Sequence, residues 1–307
     1  MTTNTKINDG SYERVHDNQE ENNLNIQSNA KEAGKDGPSE LNWGESLWLV
    51  CKRSTPTILT MIFFQMVQLM NIFYVGHESS DLLAGVGLGN MLLNVLVFAV
   101  TMGLNGTIET FVAWSLGRDE KMMCGLHLNR ARVIVTSFLI PVIVLFLFID
   151  KILIGLQQDP EIANIAHQYV VYTIPGWFCN VQFDTTKRFL QTIHMSVVST
   201  TTQFVTTALH VGWGYYFIIY KDMGVVGAAI ALNITFCTNF LIQELYIHVI
   251  KREFFAEYLP PFWAKSSFSW SGTKKFLRLG VPGTLMQCAE WWAFEILAIF
   301  AGMMGKH

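Results

Sequence analysis

The order of hydrophobic and polar positions divides the chain into a polar N-terminal segment and a long series of apolar runs joined by short polar connections. About 20 consecutive apolar residues are enough for an α-helix to cross a bilayer. The sequence predicts seven such spans, near residues 55–75, 82–104, 131–149, 165–181, 197–219, 225–249 and 281–302. The second span continues as a more polar stretch to Leu116, and the fifth is the least apolar. The pattern therefore predicts an all-α, polytopic membrane helical bundle.

The composition agrees with a membrane protein, because 51% of the residues are hydrophobic, 15% are charged and the mean hydropathy is +0.31. The five cysteines are far apart in the sequence, which argues against a disulfide framework or a zinc site. We find no metal-binding cluster, nucleophile triad or phosphate-binding loop. The sequence therefore predicts a protein that is not an enzyme, has no cofactor or bound metal, and has no nucleic-acid partner.

The same pattern predicts four segments. Residues 1–45 form a charged segment rich in Asn, Ser and Gly, which is typical of a disordered tail. Residues 46–250 form a six-span bundle, preceded near 41–50 by a short amphipathic stretch at headgroup depth. Residues 251–280 form a linker, and residues 281–307 contain the seventh span. We expect the seventh span to begin a second bundle that this chain does not complete.

Basic residues predict the orientation of the bundle. If the tail is cytoplasmic, fourteen Lys and Arg residues fall in the inner connections, and only Lys151 and Lys221 fall in the short outer loops. An excess of Lys and Arg on the cytoplasmic side is the rule for membrane proteins. We therefore predict a multi-pass protein with a cytoplasmic N-terminus, in the plasma membrane or in a vacuolar or other intracellular membrane.

The seventh span carries two carboxylates, Glu290 and Glu295, away from both of its ends. Five residues turn a helix by about 500°, so the two carboxylates lie about 140° apart and cannot form one paired-acid site. Gln287 shares the face of Glu290, and Trp291 and Trp292 flank it. An acid beside aromatic faces suits an organic cation, and an acid at this depth can also exchange a proton. A hydrogen bond from each Glu to a neighbouring helix is the simpler alternative.

Other polar residues within or beside the spans have mainly structural interpretations. Glu109 is a second candidate for the substrate or proton site, and pairing with a nearby Arg is an equal alternative. Asn71 is expected to form a hydrogen bond between helices, and His210 is expected to be a buried, hydrogen-bonded histidine, with a proton relay as the alternative. Asp184 is expected to lie at an interface, either solvated or paired with the basic residues that follow it, and Glu244 is expected to reach the lipid headgroups.

Three prolines, Pro56, Pro175 and Pro282, fall in the predicted spans. Proline removes a backbone donor and clashes with the preceding turn, so it bends a helix. We predict structural or hinge roles for all three.

Several motifs, in order over residues 55–302, resemble the multidrug and toxin extrusion (MATE) family, particularly its eukaryotic branch. The seventh span is similar to that of the family in its proline and in its Glu-Trp-Trp-x-x-Glu pattern. Further similar segments are 73–77 with 82–87, 103–110 with Gly117, 158–160, 174–176, 188–191 and 224–229. Trp114, Asn129 and Asn71 depart from residues that are usual in the family or in many of its prokaryotic members.

The resemblance implies twelve spans in two six-helix bundles that export small organic cations in exchange for protons or sodium. It also implies that this chain holds the first bundle and the opening helix of the second. Asn71 replaces a first-span acid, which shifts the expected ion site to Glu290, Glu295 and Glu109. Alternating access requires two bundles. We therefore expect the chain to be truncated, or to be completed by self-association or a second half-transporter within the bilayer.

Two other classes of membrane protein remain open. A seven-span receptor fits the number of spans but not the predicted cytoplasmic N-terminus. A flippase for a lipid or polysaccharide precursor would need a basic central cavity, whereas the charges predicted within the membrane are mainly acidic.

Overall fold

A computed structural model describes residues 43–260 and 269–304, without the side chains of residues 294–296 and 298–304. Most of the predicted tail (1–42) and part of the predicted linker (261–268) lie outside the described residues. Within residues 43–54, the ammonium group of Lys52 lies 4.7 Å from the ring centre of Trp48. Both types of side chain are common at headgroup depth, as the sequence predicts for this stretch.

All regular structure in the described part of the chain is helical. The helices are α1 (Trp43–Gly76), α2 (Ser80–Gly117), α3 (Lys121–Phe146), α4 (Ile149–Gly155), α5 (Pro160–Thr192), α6 (Ser196–Gly214, continued by Tyr215–Tyr220), α7 (Gly224–Ile250), α8 (Arg252–Ala256) and α9 (Trp270–Met304). Each predicted span coincides with one long helix, although the third runs past the end of α3. Four of the described helices, α1, α2, α3 and α7, are long and apolar enough to cross a membrane by length and composition.

The helices extend beyond the apolar runs that predict them, because backbone hydrogen bonding continues through polar residues. The Oδ1 atom of Asp159 accepts a hydrogen bond from the backbone N–H of Glu161 at 2.8 Å and caps α5, and Pro160 occupies its first position. At the other end of the chain, α9 begins at Trp270. The predicted boundary between linker and seventh span, at residue 281, therefore lies inside a helix.

The core of the bundle lies around α5, which packs most extensively against α7 and also contacts α2, α3 and α6. The largest buried side chains include Tyr169 and Phe189 of α5 and Phe236 of α7. Helix α9 packs chiefly against α2. A site shared by α2, α5 and α9 therefore joins the seventh span to the bundle core.

Three of the described helices contain π-helical segments, Asn94–Phe98 in α2, Tyr215–Tyr220 in α6 and Tyr246–Ile250 in α7. The segment in α2 lies in the middle of its span and contributes Phe98 to the contact with α9. Such wider turns are frequent at functional sites.

Pro175 interrupts α5, and a side chain of α7 fills the break. The backbone N–H of Gly176 donates to Asn233 Oδ1 at 2.8 Å, and Asn233 Nδ2 donates to the carbonyl of Tyr172 at 2.7 Å. In a regular helix these two backbone groups would bond to each other. A Cβ atom on residue 176 would lie 2.3 Å from Asn233 Oδ1, so glycine is required for this approach.

We expect Asn233→Leu to lower the free energy of unfolding by about 2 kcal/mol, because two backbone groups lose their partners in a non-aqueous interior. Thermal unfolding in detergent would measure the loss. The double variant Pro175→Ala with Asn233→Leu is the control, since α5 can then close its own hydrogen bonds. Equal losses in the single and double variants would contradict this explanation.

The other two prolines also lie inside helices. The carbonyl of Pro56 accepts from Thr60 Oγ1 and from Thr200 Oγ1, each at 2.8 Å, so it joins α1 to α6. Pro282 lies in α9, within the turn that is bridged by a hydrogen bond of 2.8 Å from Thr284 Oγ1 to the carbonyl of Gly280. Whether any of the three positions acts as a hinge stays a prediction.

Candidate functional site

The acid and amide predicted to share one face of the seventh span do so on α9. Gln287 Nε2 donates to Glu290 Oε2 at 3.4 Å. The Glu290 side chain is exposed in the described part of the chain. The described neighbouring helices therefore do not supply the interhelical hydrogen bond that was the simpler interpretation of this residue. Glu295 lies on the same helix, but its side chain is outside the described residues. Glu290 is therefore available to a ligand or to further helices.

The two tryptophans next to Glu290 contact α2. The ring of Trp291 lies edge-on to Phe98, with centroids 5.1 Å apart and an interplanar angle of 81°. Trp292 Nε1 donates to the carbonyl of Val95 at 3.2 Å, within the π-helical segment. These contacts set the rotation of α9 about its axis and leave Glu290 on an adjacent face.

A close approach of backbones holds α9 against α2. A Cβ atom on Gly103 would lie 2.4 Å from the Cα atom of Thr284. Gly280 lies similarly close to α2, since its Cβ would be 3.1 Å from Thr107 Oγ1. Small residues allow helices to pack closely in membranes, where dispersion contacts replace the hydrophobic effect.

A cavity of about 200 Å³ lies beside Trp291 and extends into the bundle. Its lining combines aromatic residues, amides and charges. The lining includes Phe64, Gln65, Phe98, Asn180, Asp184, Lys187, Arg188, Gln203 and Trp291. The cavity thus connects the seventh span to α1, α2, α5 and α6.

Glu109 lies in a cluster of four charges on α2 and α5, away from Glu290. Arg188 Nη1 contacts Glu109 Oε1 at 2.7 Å, and Arg188 Nε contacts Asp184 Oδ2 at 3.3 Å. Lys187 also forms an ion pair with Asp184. We call Glu109, Asp184, Lys187 and Arg188 the charged cluster. The sequence alternative that pairs Glu109 with an Arg is the one observed.

The pairing of Asp184 with its basic neighbours is confirmed. The sequence did not predict that these residues lie within a helix and line a cavity. The sequence assigned Lys187 and Arg188 to an inner connection, whereas both lie within α5 and line the cavity. The spacing of Asp184 to Lys187 and Arg188, three and four residues, places all three on one face of the helix. That spacing was the available signal.

Glu244 forms an ion pair with Arg132, where the sequence predicted a side chain reaching the headgroups. The Arg132 guanidinium also donates to Thr186 Oγ1 at 2.6 Å, and His248 Nε2 lies 3.2 Å from Glu244. The side chains of Arg132 and Glu244 are 14% and 17% exposed. This pair joins α3, α5 and α7, and a partner on another helix explains why Glu244 does not extend outward.

The predicted interhelical hydrogen bond of Asn71 is confirmed, and so are the predicted burial and hydrogen bonding of His210. Asn71 Nδ2 donates to the hydroxyl of Tyr169 at 3.2 Å, and that hydroxyl donates to Asn90 Oδ1 at 2.9 Å. His210 Nδ1 lies 2.7 Å from Thr235 Oγ1. All these side chains are buried, so they specify helix positions within the bundle.

A larger cavity of about 560 Å³ lies between α2, α3 and α9. Its lining is mostly apolar, with Arg130 as its charged residue, and it includes none of the predicted site residues. In the described part of the chain, no group of three or more His, Cys, Asp or Glu residues could hold a metal ion. The chemistry suited to a polar substrate therefore lies at the smaller cavity and the exposed face of α9.

Comparisons with known proteins agree with a helical membrane bundle. The family model MatE matches residues 56–216. Protein DETOXIFICATION 18 of Arabidopsis thaliana is 30% identical over 251 residues, covering 82% of this chain and 52% of the relative. Multidrug and toxin extrusion protein 1 of Xenopus tropicalis is 26% identical over 263 residues, covering 86% and 45%. The crystal structure of the eukaryotic MATE transporter AtDTX14 superposes with a TM-score of 0.75 at 24% identity, covering 83% and 57%.

The chain belongs to the MatE family of membrane transporters. The predicted family resemblance and the all-α membrane bundle are thus confirmed. The protein is an integral membrane protein. The assignment of its helices to a first bundle and the opening helix of a second stays a prediction. The chain spans about half the length of the curated relatives it matches.

Proposed function

We propose that the protein takes part in secondary active export of small organic cations in exchange for protons, or for sodium. Glu290 is the primary cation and proton site, and Gln287 orients its carboxylate. Trp291 and Trp292 supply aromatic faces, and Glu295 is a neighbouring acid on α9. Glu109 stabilises the bundle through Arg188 and does not bind the cation directly.

One observation carries this proposal. The acid Glu290 is exposed next to two tryptophans that are held in fixed positions by α2. A cation at such a place is attracted both by the carboxylate and by the ring faces. When the cation leaves, the carboxylate takes up a proton in its place. That exchange is what an antiporter needs.

Alternating access requires two bundles that move against each other. We propose that the helices opposite α9 come from the remainder of a longer protein or from a second copy of this chain. The mass of the purified protein in detergent distinguishes a self-associated form from a single chain. We further propose that the N-terminus is cytoplasmic, as the distribution of basic residues predicts.

Proton-driven efflux from liposomes tests the proposal. We expect the reconstituted protein to move labelled tetraethylammonium in exchange for protons that flow down an imposed pH gradient. Glu290→Gln should lower that rate at least roughly tenfold, which corresponds to ~1.4 kcal/mol. Glu253→Gln, on α8, is a matched control that leaves the rate unchanged. Equal rates for Glu290→Gln and the unmodified protein would contradict the site.

A second candidate function, the flipping of an anionic lipid-linked precursor, is favoured by the two cations that line the smaller cavity. The sequence had predicted mainly acidic charges within the membrane, and this cavity departs from that prediction. Its volume of about 200 Å³ is small, since drug-sized ligands occupy roughly 300–1,000 Å³. The family and the exposed acid on α9 favour the antiporter.

A further inference from the structure

We propose that the 200 Å³ cavity binds the carboxylate of a small aromatic organic acid, with Lys187 as the group that receives it. The inference extends the proposed substrates from cations to aromatic acids and zwitterions. It rests on the proposed function only in placing this cavity on the transport path. Binding itself is a property of the described bundle and can be measured alone.

The charges that line the cavity do not balance. Lys187 and Arg188 face a single lining carboxylate, that of Asp184. Glu109 balances Arg188 from α2, but it is not among the residues that line the cavity. The charged cluster as a whole is neutral, but the wall that faces the cavity carries two cations and one carboxylate, which favours an anionic group over a cationic one at this wall.

Lys187 is better placed than Arg188 to receive an anion. The guanidinium of Arg188 already contacts two carboxylates, those of Glu109 and Asp184. Lys187 has one carboxylate partner among the described residues, Asp184, and an ammonium group has three donors. Asp184 is itself shared with Arg188 and with Asn105 Nδ2, at 2.9 Å. The Lys187 side chain is 14% exposed, so a bound carboxylate would be largely removed from water.

The aromatic residues of the lining favour an aromatic ring. Phe64 and Phe98 lie parallel with centroids 5.6 Å apart, and Trp291 meets Phe98 edge-on. Offset and edge-on contacts of this kind are the favourable arrangements for a further ring. The side-chain amide of Asn180 also lines the cavity, as does that of Gln203, which bonds to Asn239 and Thr207. The volume suits one ring with a short acidic arm.

Three probes of the same shape test this inference. The probes are 3-phenylpropanoate, its neutral amide and 3-phenylpropylamine, each titrated into the purified chain in nanodiscs by calorimetry. We expect the carboxylate to bind about tenfold more tightly than the amide, since a hydrogen bond to a charged group exceeds one between neutral groups by this order. Equal binding of carboxylate and amide would overturn the proposal.

Variants assign the preference to Lys187. Lys187→Gln should abolish the difference between carboxylate and amide, whereas Lys187→Arg should retain it. Lys221→Gln, at an exposed position, is the matched control that leaves it unchanged. A preference that survives Lys187→Gln would overturn the assignment.

Since Lys187→Gln also removes a partner of Asp184, a second variant keeps the charged cluster intact. Gln65→Glu adds a carboxylate of the same size to the cavity wall and should reverse the preference from the carboxylate to the amine. No change with Gln65→Glu would overturn the location. Tighter binding of inorganic pyrophosphate than of 3-phenylpropanoate would overturn the proposal in favour of a lipid-linked diphosphate.

The efflux experiment with Glu290→Gln separates this inference from the proposed function. If 3-phenylpropanoate and its amide bind equally while efflux still depends on Glu290, only the inference is overturned. A carboxylate preference that depends on Lys187, without cation efflux, would support the inference and overturn the proposed function.

Discussion

Replacing Arg188 by leucine is expected to remove most of the folded protein. The Arg188 guanidinium lies between Glu109, at 2.7 Å, and Asp184, at 3.3 Å, and its side chain is 12% exposed. Leucine would remove the partner of Glu109, whose side chain is 44% exposed, and would leave the largely buried Asp184 with Lys187 as its remaining ion-pair partner. Breaking a buried ion pair in this way costs about 3–5 kcal/mol, and total stabilities are about 5–15 kcal/mol. The yield of monodisperse protein and its thermal unfolding would measure the effect.

A double variant tests the electrostatic explanation directly. Arg188→Leu combined with Glu109→Leu removes one positive and one negative charge and leaves the Asp184–Lys187 pair intact. We expect this double variant to recover a large part of the stability lost in the single variant, as a double-mutant cycle would show. Arg188→Lys should be intermediate, because an ammonium cannot contact both carboxylates with a planar fork. A double variant no more stable than Arg188→Leu would contradict the explanation.

Gly103→Leu is expected to have the second largest effect, by displacing α9 from α2. A Cβ atom at this position would lie 2.4 Å from Thr284 Cα and 3.0 Å from its backbone nitrogen. Overpacking of this type costs about 1–3 kcal/mol where side chains can adjust, and here the obstacle is backbone. We expect a lower unfolding temperature and, since Trp291 lines the cavity, weaker binding of all three aromatic probes.

Gly106 provides the matched control for this substitution, because it lies on the same helix with no atom within 4 Å of its ideal Cβ position. Gly106→Leu should change the free energy of unfolding by less than about 0.5 kcal/mol. Equal destabilisation by Gly103→Leu and Gly106→Leu would indicate that the loss of glycine in α2, and not the contact with α9, is responsible.

Arg188→Leu and Gly103→Leu each disrupt one of the two helix contacts that hold the walls of the cavity together. The charged cluster joins α2 to α5, and the close approach at Gly103 joins α2 to α9. Helix α2 is therefore the common partner, and its π-helical segment supplies both the carbonyl of Val95 and the ring of Phe98 to the tryptophans. A change in the rotation of α9 would alter the exposed acid and the cavity together.

The sequence by itself determined the features that depend on local pattern. Apolar runs of spanning length predict the long helices, and a helical spacing of three residues correctly pairs Gln287 with Glu290. The need to satisfy polar groups away from water predicts that Asn71 bonds to another helix and that His210 is buried and hydrogen-bonded. Motifs in order along the chain predict the family, which the comparisons confirm.

The tertiary structure alone decided which distant side chains meet. Glu109 and Arg188 lie 79 residues apart, and Arg132 and Glu244 lie 112 apart, so no periodicity relates them. Asn233 fills the break at Pro175 only because α7 packs beside α5 at that height. The hydrophobic pattern reports which face of a helix is apolar, but the depth and rotation at which two helices meet depend on packing between them. The depth and the rotation of helix packing determine that Lys187, Arg188 and Asp184 line the cavity. The hydrophobic pattern of the sequence does not report either quantity.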